Sequence, residues 1–178
     1  MSAESSSASA APRPRRPRDM ILSLAVLLAP IGAFFLLWNF LTADEQVREI
    51  DPSGDYSQAA GLGLDVREPS GLSEEWKPVS SGVSHEAGAV TLRVGYHTPD
   101  GAGIQLIESD GPSEETMLQE LGEAPRPSGS VAAGGREWLS YVTVDSYNAV
   151  VFSDDDLTLV VYGDAEIAEL EEFAAALD

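Results

Sequence analysis

The sequence predicts an α+β chain, with an N-terminal single transmembrane helix followed by a mostly antiparallel β-sheet domain that has two helices packed on one face. Three observations predict this. One uncharged apolar run, Ile21 to Leu41, lies near the start of the chain. Beyond residue 55, short segments alternate apolar and polar residues between Gly, Pro and Asp clusters, which is the period of half-buried strands. Two further segments, one after Gly111 and one after Asp164, carry apolar residues at helical spacing and need a sheet to cover them.

Residues 1–19 are rich in Ser, Ala, Pro and Arg and hold too few apolar residues to bury anything. They are expected to form a disordered basic cytoplasmic tail. The span over 20–41 contains 21 consecutive uncharged residues, and as a helix these cover roughly 31 Å, close to the hydrocarbon thickness of a bilayer. Trp38 and Phe40 near its far end suit a membrane interface. Arg13, Arg15, Arg16 and Arg18 precede the span, while Asp44 and Glu45 follow it, so the positive-inside rule places the N-terminus in the cytoplasm. A cleaved leader is the competing reading. The run is longer than a leader's usual apolar region of about 7–15 residues, and Leu41-Thr42-Ala43 fits a small-x-small cleavage site poorly. Residues 42–54 read as an acidic stalk.

Residues 55–178 read as the extracytoplasmic α+β domain. Asp55 to Leu62 has the length of a short helix before Gly63, and Leu64 to Arg67 looks extended. Strands are predicted at Trp76 to Val83, Ala89 to Thr98 and Gly103 to Glu108, with Pro99-Asp100-Gly101 turning the last two into a hairpin. Gly111-Pro112-Ser113-Glu114-Glu115 begins a helix, because proline and acidic residues suit a first turn, and Gly122 stops it. Further strands are predicted at Ser130 to Ala133, Glu137 to Val144, Ala149 to Phe152 and Leu157 to Tyr162, with Gly134-Gly135 as a hairpin turn. Asp164 is the expected cap of a closing helix whose stripe is Ile167, Leu170, Phe173, Ala174 and Leu177. Glu75-Trp76 and Glu137-Trp138 open comparable runs, which raises the alternative that the domain is two similar halves.

The chain carries a net charge of -20 with no cysteine. Such a surface repels nucleic acid and anionic lipid. Without cysteine there are no disulfides, thiolate metal sites or cysteine nucleophiles. Gly61-Leu62-Gly63 starts like a dinucleotide loop, but Val66 stands where its third glycine belongs. His85 and His97 are the two imidazoles, and neither has a recognisable catalytic setting. Asp154-Asp155-Asp156 lacks the alternating spacing and distal glutamate of a calcium loop and reads as a solvated turn. Trp76 and Trp138 read as core residues rather than a sugar platform. No catalytic, cofactor-binding or metal residue is assigned, and no cofactor is expected.

Two stretches carry a family resemblance. Pro14-Arg15-Arg16-Pro17-Arg18-Asp19-Met20-Ile21-Leu22-Ser23-Leu24 is one. The other is Leu92-Arg93-Val94-Gly95-Tyr96 with Thr98-Pro99-Asp100-Gly101, preceded by Glu68-Pro69-Ser70-Gly71-Leu72 and Trp76. On these the chain resembles an actinobacterial membrane-protein family, domain of unknown function 4245, from about Pro12 to the C-terminus. The resemblance implies topology and supplies no site residues. The expectation is therefore a single-pass cell-membrane protein with a non-enzymatic extracytoplasmic accessory domain. Its partners are the lipid bilayer and another envelope or membrane protein. A carrier of a small apolar ligand or lipid is the alternative, followed by an envelope hydrolase.

Overall fold

The structure is a computed structural model that describes residues 24, 26–32, 34 and 48–177. The expected tail over 1–19 lies outside the described residues, as does most of the expected span over 20–41 and the first part of the stalk. The described residues between 24 and 34 are helical, and Leu24, Val26, Leu27, Leu28, Ile31 and Phe34 are exposed. Among the described residues no helix is long and apolar enough to cross a membrane. Residues 47–178 form a compact unit of their own.

That unit opens with helix α1 (Ser53–Leu62). Gly63 closes it in the left-handed region at φ 107°, its N–H bonding back to the carbonyls of Ala59 and Ala60. Seven strands follow: β1 (Lys77–Glu86), β2 (Ala89–His97), β3 (Gly103–Ser109), β4 (Arg126–Ala133), β5 (Arg136–Val142), β6 (Asn148–Ser153) and β7 (Thr158–Gly163). Helix α2 (Ser113–Leu121) lies between β3 and β4, and α3 (Ile167–Ala175) follows β7. All pairs are antiparallel, in the order β1-β2-β3-β7-β6-β5-β4. Two tight turns rest on consecutive positive φ angles, Ala87-Gly88 (53° and 90°) and Gly134-Gly135 (57° and 72°). These match the right-handed twist of the strands they join.

The helices do not share one face. α1 and α3 cover the side to which Leu92, Val94, Tyr96, Leu106, Leu159 and Val161 point. Phe173 of α3 sits at its centre, 4.8 Å from the Tyr96 ring and 5.3 Å from that of Trp76. α2 lies on the opposite side, with Leu121 and Met117 over Ile107, Ala149, Val151 and Val160. The expected pairing of α2 with the closing helix is therefore corrected. The physical reason is in the central strands, where Leu106-Ile107 and Leu159-Val160-Val161 are buried at consecutive positions. A strand buried on both faces demands cover on both. Strands β1 to β3 and β5 to β7 are arranged symmetrically about the β3–β7 pair, with β4 left over at one edge, but the helix after β3 and the helix after β7 lie on opposite faces. A two-fold that relates antiparallel neighbours keeps both helices on one face, so the halves are not equivalent as units of strands plus helix.

Asp164 is not the cap of α3, which begins after Glu166. Its Oδ1 instead accepts the Gly103 N–H at 2.7 Å, tying the β2–β3 turn to the end of β7.

Candidate functional site

The residues with chemical potential do not converge. His85 pairs with Val90 at one end of the β1–β2 hairpin, and His97 pairs with Lys77 at the other. Seven residue steps along β2 separate those positions, about 23 Å at strand spacing. His85 is exposed and His97 half-buried. Asp154, Asp155 and Asp156 are exposed in the β6–β7 turn, where Asp154 Oδ1 accepts the N–H groups of Asp156 (3.1 Å) and Leu157 (2.8 Å). Its carboxylate organises the turn. Gly61-Leu62-Gly63 is the end of α1. Trp76 and Trp138 are core residues: Trp76 donates Nε1–H to Glu172 at 3.3 Å, and Trp138 donates to the Ala133 carbonyl at 3.2 Å. Among the described residues no three His, Cys, Asp or Glu side chains gather where they could hold a metal ion.

Two features went unread in the sequence. The first is a polar cluster inside the α1/α3 layer. Glu108 of β3 is completely buried, its Oε2 accepting the backbone N–H of Arg67 at 2.7 Å. Its other oxygen has no hydrogen-bond partner, and neither has the buried Nε of Arg67. Burial pushes the Glu108 carboxyl up to about 8, against the opposing pull of the Arg67 N–H and guanidinium. Beside it the hydroxyls of Tyr56 and Tyr96 lie 3.0 Å apart, and burial raises both phenols, Tyr96 to about 12. The inward alternation Ile104, Leu106, Glu108 was the available signal, because it puts a carboxylate on the core face of a strand.

The second feature is the α2 side of the sheet, which one nine-residue helix covers. At 100° per residue, Glu115, Gln119 and Thr116 lie on one flank of α2 and Leu118 on the other. The first flank looks toward β2, where Glu120 grips Arg93 at 2.5 Å and Arg93 also donates to Ser84. A cavity of about 540 Å³ opens there, lined by polar groups that include Ser84, Glu86, Thr91, Ser109 and Glu115. A second, of about 360 Å³, lies along Ser80 to Ser84 beside Arg93 and Gln105. The other flank looks toward β6 and β5. Leu118 is 56% exposed, Leu139 of β5 is 53% exposed on the same side of the sheet, and Tyr141 is half-buried between the covered and open parts. Neither cavity is lined by Trp, Tyr or Phe.

No curated protein and no solved structure matches the chain. A family does match, over residues 13–177, and its span takes in the arginine-rich segment, the apolar run and every strand and helix of the folded unit. The chain belongs to the family described as protein of unknown function (DUF4245).

Proposed function

We propose that this chain is a single-pass membrane protein whose acidic outer domain is a non-enzymatic accessory module, docking another envelope protein on the α2 side of its sheet. The observation that carries the docking reading is the unequal cover of the two faces. α1 and α3 seal one side, while the other leaves Leu118 and Leu139 each more than half exposed. Burying such side chains against a partner stabilises a complex by roughly 1.5–3 kcal/mol each when complete, and both lie on the same side of the sheet.

The anchor reading is supported by the residues between 24 and 34. Val26, Leu27 and Leu28 are consecutive, helical and exposed, so apolar side chains span more than half of the helix circumference with no charge among them. A helix of that kind needs an apolar surrounding. The arginines ahead of it and the acidic residues after it support a cytoplasmic N-terminus. A short stalk then holds the domain close to the bilayer and raises its effective concentration toward a membrane partner. The mainly polar lining of the larger cavity, and the lack of Trp, Tyr or Phe in either wall, give less support to an apolar-ligand carrier, and the separation of His85 from His97 gives less support to a hydrolase.

The test is in-cell crosslinking of the tagged full-length chain beside the double variant Leu118→Asp/Leu139→Asp, with the anchor fused to an unrelated outer domain as control. The reading expects a discrete protein adduct that the variant and the fusion both lose. An adduct that survives in the double variant would move the docking surface elsewhere, and no adduct at all would remove the partner.

A further inference from the structure

The two cavities lie end to end on the α2 side of the sheet, between the Glu115 flank of α2 and the β1–β2 hairpin. Both touch Ser84 and Arg93. Along β1 they run from Ser80 to Glu86, six residue steps or about 20 Å at strand spacing. Ser84, Thr91 and Ser109 stand opposite one another on three neighbouring strands, and the hydroxyls of the last two are 3.0 Å apart. Ser109 and Thr116, 1% and 5% exposed, form part of the wall of the larger cavity although almost all of each residue is covered. At its rim are Glu86, Glu115 and Gln119, whose side chains make no hydrogen bond or ion pair among the described residues. Ala87, Ala89 and Gly111 fill the rest of the wall with small groups.

Arg93 stands where the two cavities meet. Its Nε and Nη2 donate to Glu120 and its Nη1 to Ser84, which uses three of the five N–H donors of a guanidinium. In the smaller cavity the Oε1 of Gln105 accepts the Tyr162 hydroxyl at 2.9 Å, which fixes the amide and leaves its two N–H donors unused. The lining discriminates among ligands by charge and polarity. The free carboxylates of Glu86 and Glu115 repel an anion, and the guanidinium of Arg93 repels a cation at the centre. An apolar molecule would take water from the hydroxyls and carboxylates of the larger cavity and return no hydrogen bond. A peptide finds no backbone partner here, because the main chain of β2 beneath the groove is spent on β1 and β3. A neutral molecule with many hydroxyl groups meets none of these penalties. Carboxylate and amide oxygens accept from its hydroxyls, guanidinium and amide N–H groups donate to them, and the small wall residues lie against its C–H groups.

We propose that the groove between α2 and the β1–β2 hairpin binds an uncharged oligosaccharide. Glu115 and Gln119 of α2 face Thr91 and Ser109 of the sheet across the larger cavity and hold the hydroxyls of one end of the sugar chain. Arg93 and Gln105 supply donors to the part that continues along β1. The site is on the flank of α2 away from Leu118, so it does not rest on the docking of a protein partner there.

The test follows hydrogen–deuterium exchange of the full-length chain in nanodiscs over residues 84–93 and 111–119. The probes are cellotetraose, maltotetraose, mannotetraose and chitotetraose at millimolar concentration, with tetragalacturonate and spermidine as charged controls. The expected result is about tenfold slower exchange in both segments with at least one neutral sugar, and little change with either control. Glu115 and Gln119 are exposed, so Glu115→Ala/Gln119→Ala should keep the melting temperature while the slowing is lost. Leu118→Asp/Leu139→Asp, on the other flank, should keep the slowing. No slowing by any of the neutral sugars overturns the proposal, as does slowing that survives Glu115→Ala/Gln119→Ala or disappears in Leu118→Asp/Leu139→Asp. Equal slowing by tetragalacturonate or spermidine makes the groove a site for charged ligands and overturns it too.

Discussion

Replacing Glu108 by glutamine should change how the domain's stability depends on pH. The folded state holds this carboxyl's proton up to about pH 8, whereas an exposed glutamate releases it near 4.5. Folding is therefore coupled to proton uptake between those values. Glu108's contribution is most favourable below pH 4.5. It falls as pH rises through the window, because the unfolded chain gains ionisation free energy that the folded chain forgoes. At about 1.4 kcal/mol per pH unit, the loss between pH 4.5 and pH 7 is roughly 3 kcal/mol. The groups facing Glu108 are Tyr56 on α1, Tyr96 on β2, and Asp65, Arg67 and Glu68 on the segment after α1. Glutamine keeps an acceptor for the Arg67 N–H and does not titrate. Urea unfolding followed by the fluorescence of buried Trp76 and Trp138 should give Glu108→Gln and the parent similar stabilities near pH 4.5. By pH 7 the variant should be ahead by about 3 kcal/mol. Curves that stay parallel from pH 4.5 to 8 would refute the reasoning, since they would mean that Glu108 titrates alike in both states.

Other substitutions probe the packing. Gly163→Ala would set a methyl 2.0 Å from the Gly103 carbonyl oxygen and 2.8 Å from Ile104 Cα, at the junction of β3 and β7; it should cost roughly 2 kcal/mol or more in the same urea assay. Tyr56→Phe removes one member of the hydroxyl pair and leaves Tyr96 buried without it, a loss of about 1–3 kcal/mol by thermal unfolding. Trp138→Ala empties a fully buried site beside Phe152, ring centroids 5.8 Å apart, and should destabilise by roughly 3–5 kcal/mol. His85→Ala and His97→Ala, at opposite ends of one hairpin, should each stay within about 0.5 kcal/mol of the parent in the same assay.

The strands were legible because their alternation and turn residues are local. Pro99-Asp100-Gly101 and Gly134-Gly135 turn where expected, and β1 to β7 fall within a few residues of their predicted places. Helix placement was not local. Met117, Leu118 and Leu121 announce an apolar stripe, yet nothing in their spacing says which face of the sheet receives it. The consecutive apolar residues of β6 and β7 held that information, because Ala149-Val150-Val151 and Leu159-Val160-Val161 bury both faces. Asp164 has the residue type of a cap but is drawn to the Gly103 N–H, a partner 61 positions away that spacing alone does not reveal. The open flank of α2 was hidden for a related reason. Leu118 is apolar like its neighbours, and its exposure follows only once Met117 and Leu121 are known to face the sheet.

The account turns on a domain held outside the membrane by its own N-terminal segment. The chain has no cysteine, so single reporter thiols can be introduced without background. Ser153→Cys places one on the exposed β6–β7 turn, and Ser7→Cys places one ahead of the arginines. The most direct measurement labels intact cells with a membrane-impermeant maleimide. The account predicts that the thiol at 153 reacts in intact cells and that the thiol at 7 reacts only after lysis, with the protein staying in the membrane fraction through alkaline carbonate washing. Reaction at 7 but not at 153 in intact cells, or release of the full-length chain by carbonate, would contradict it.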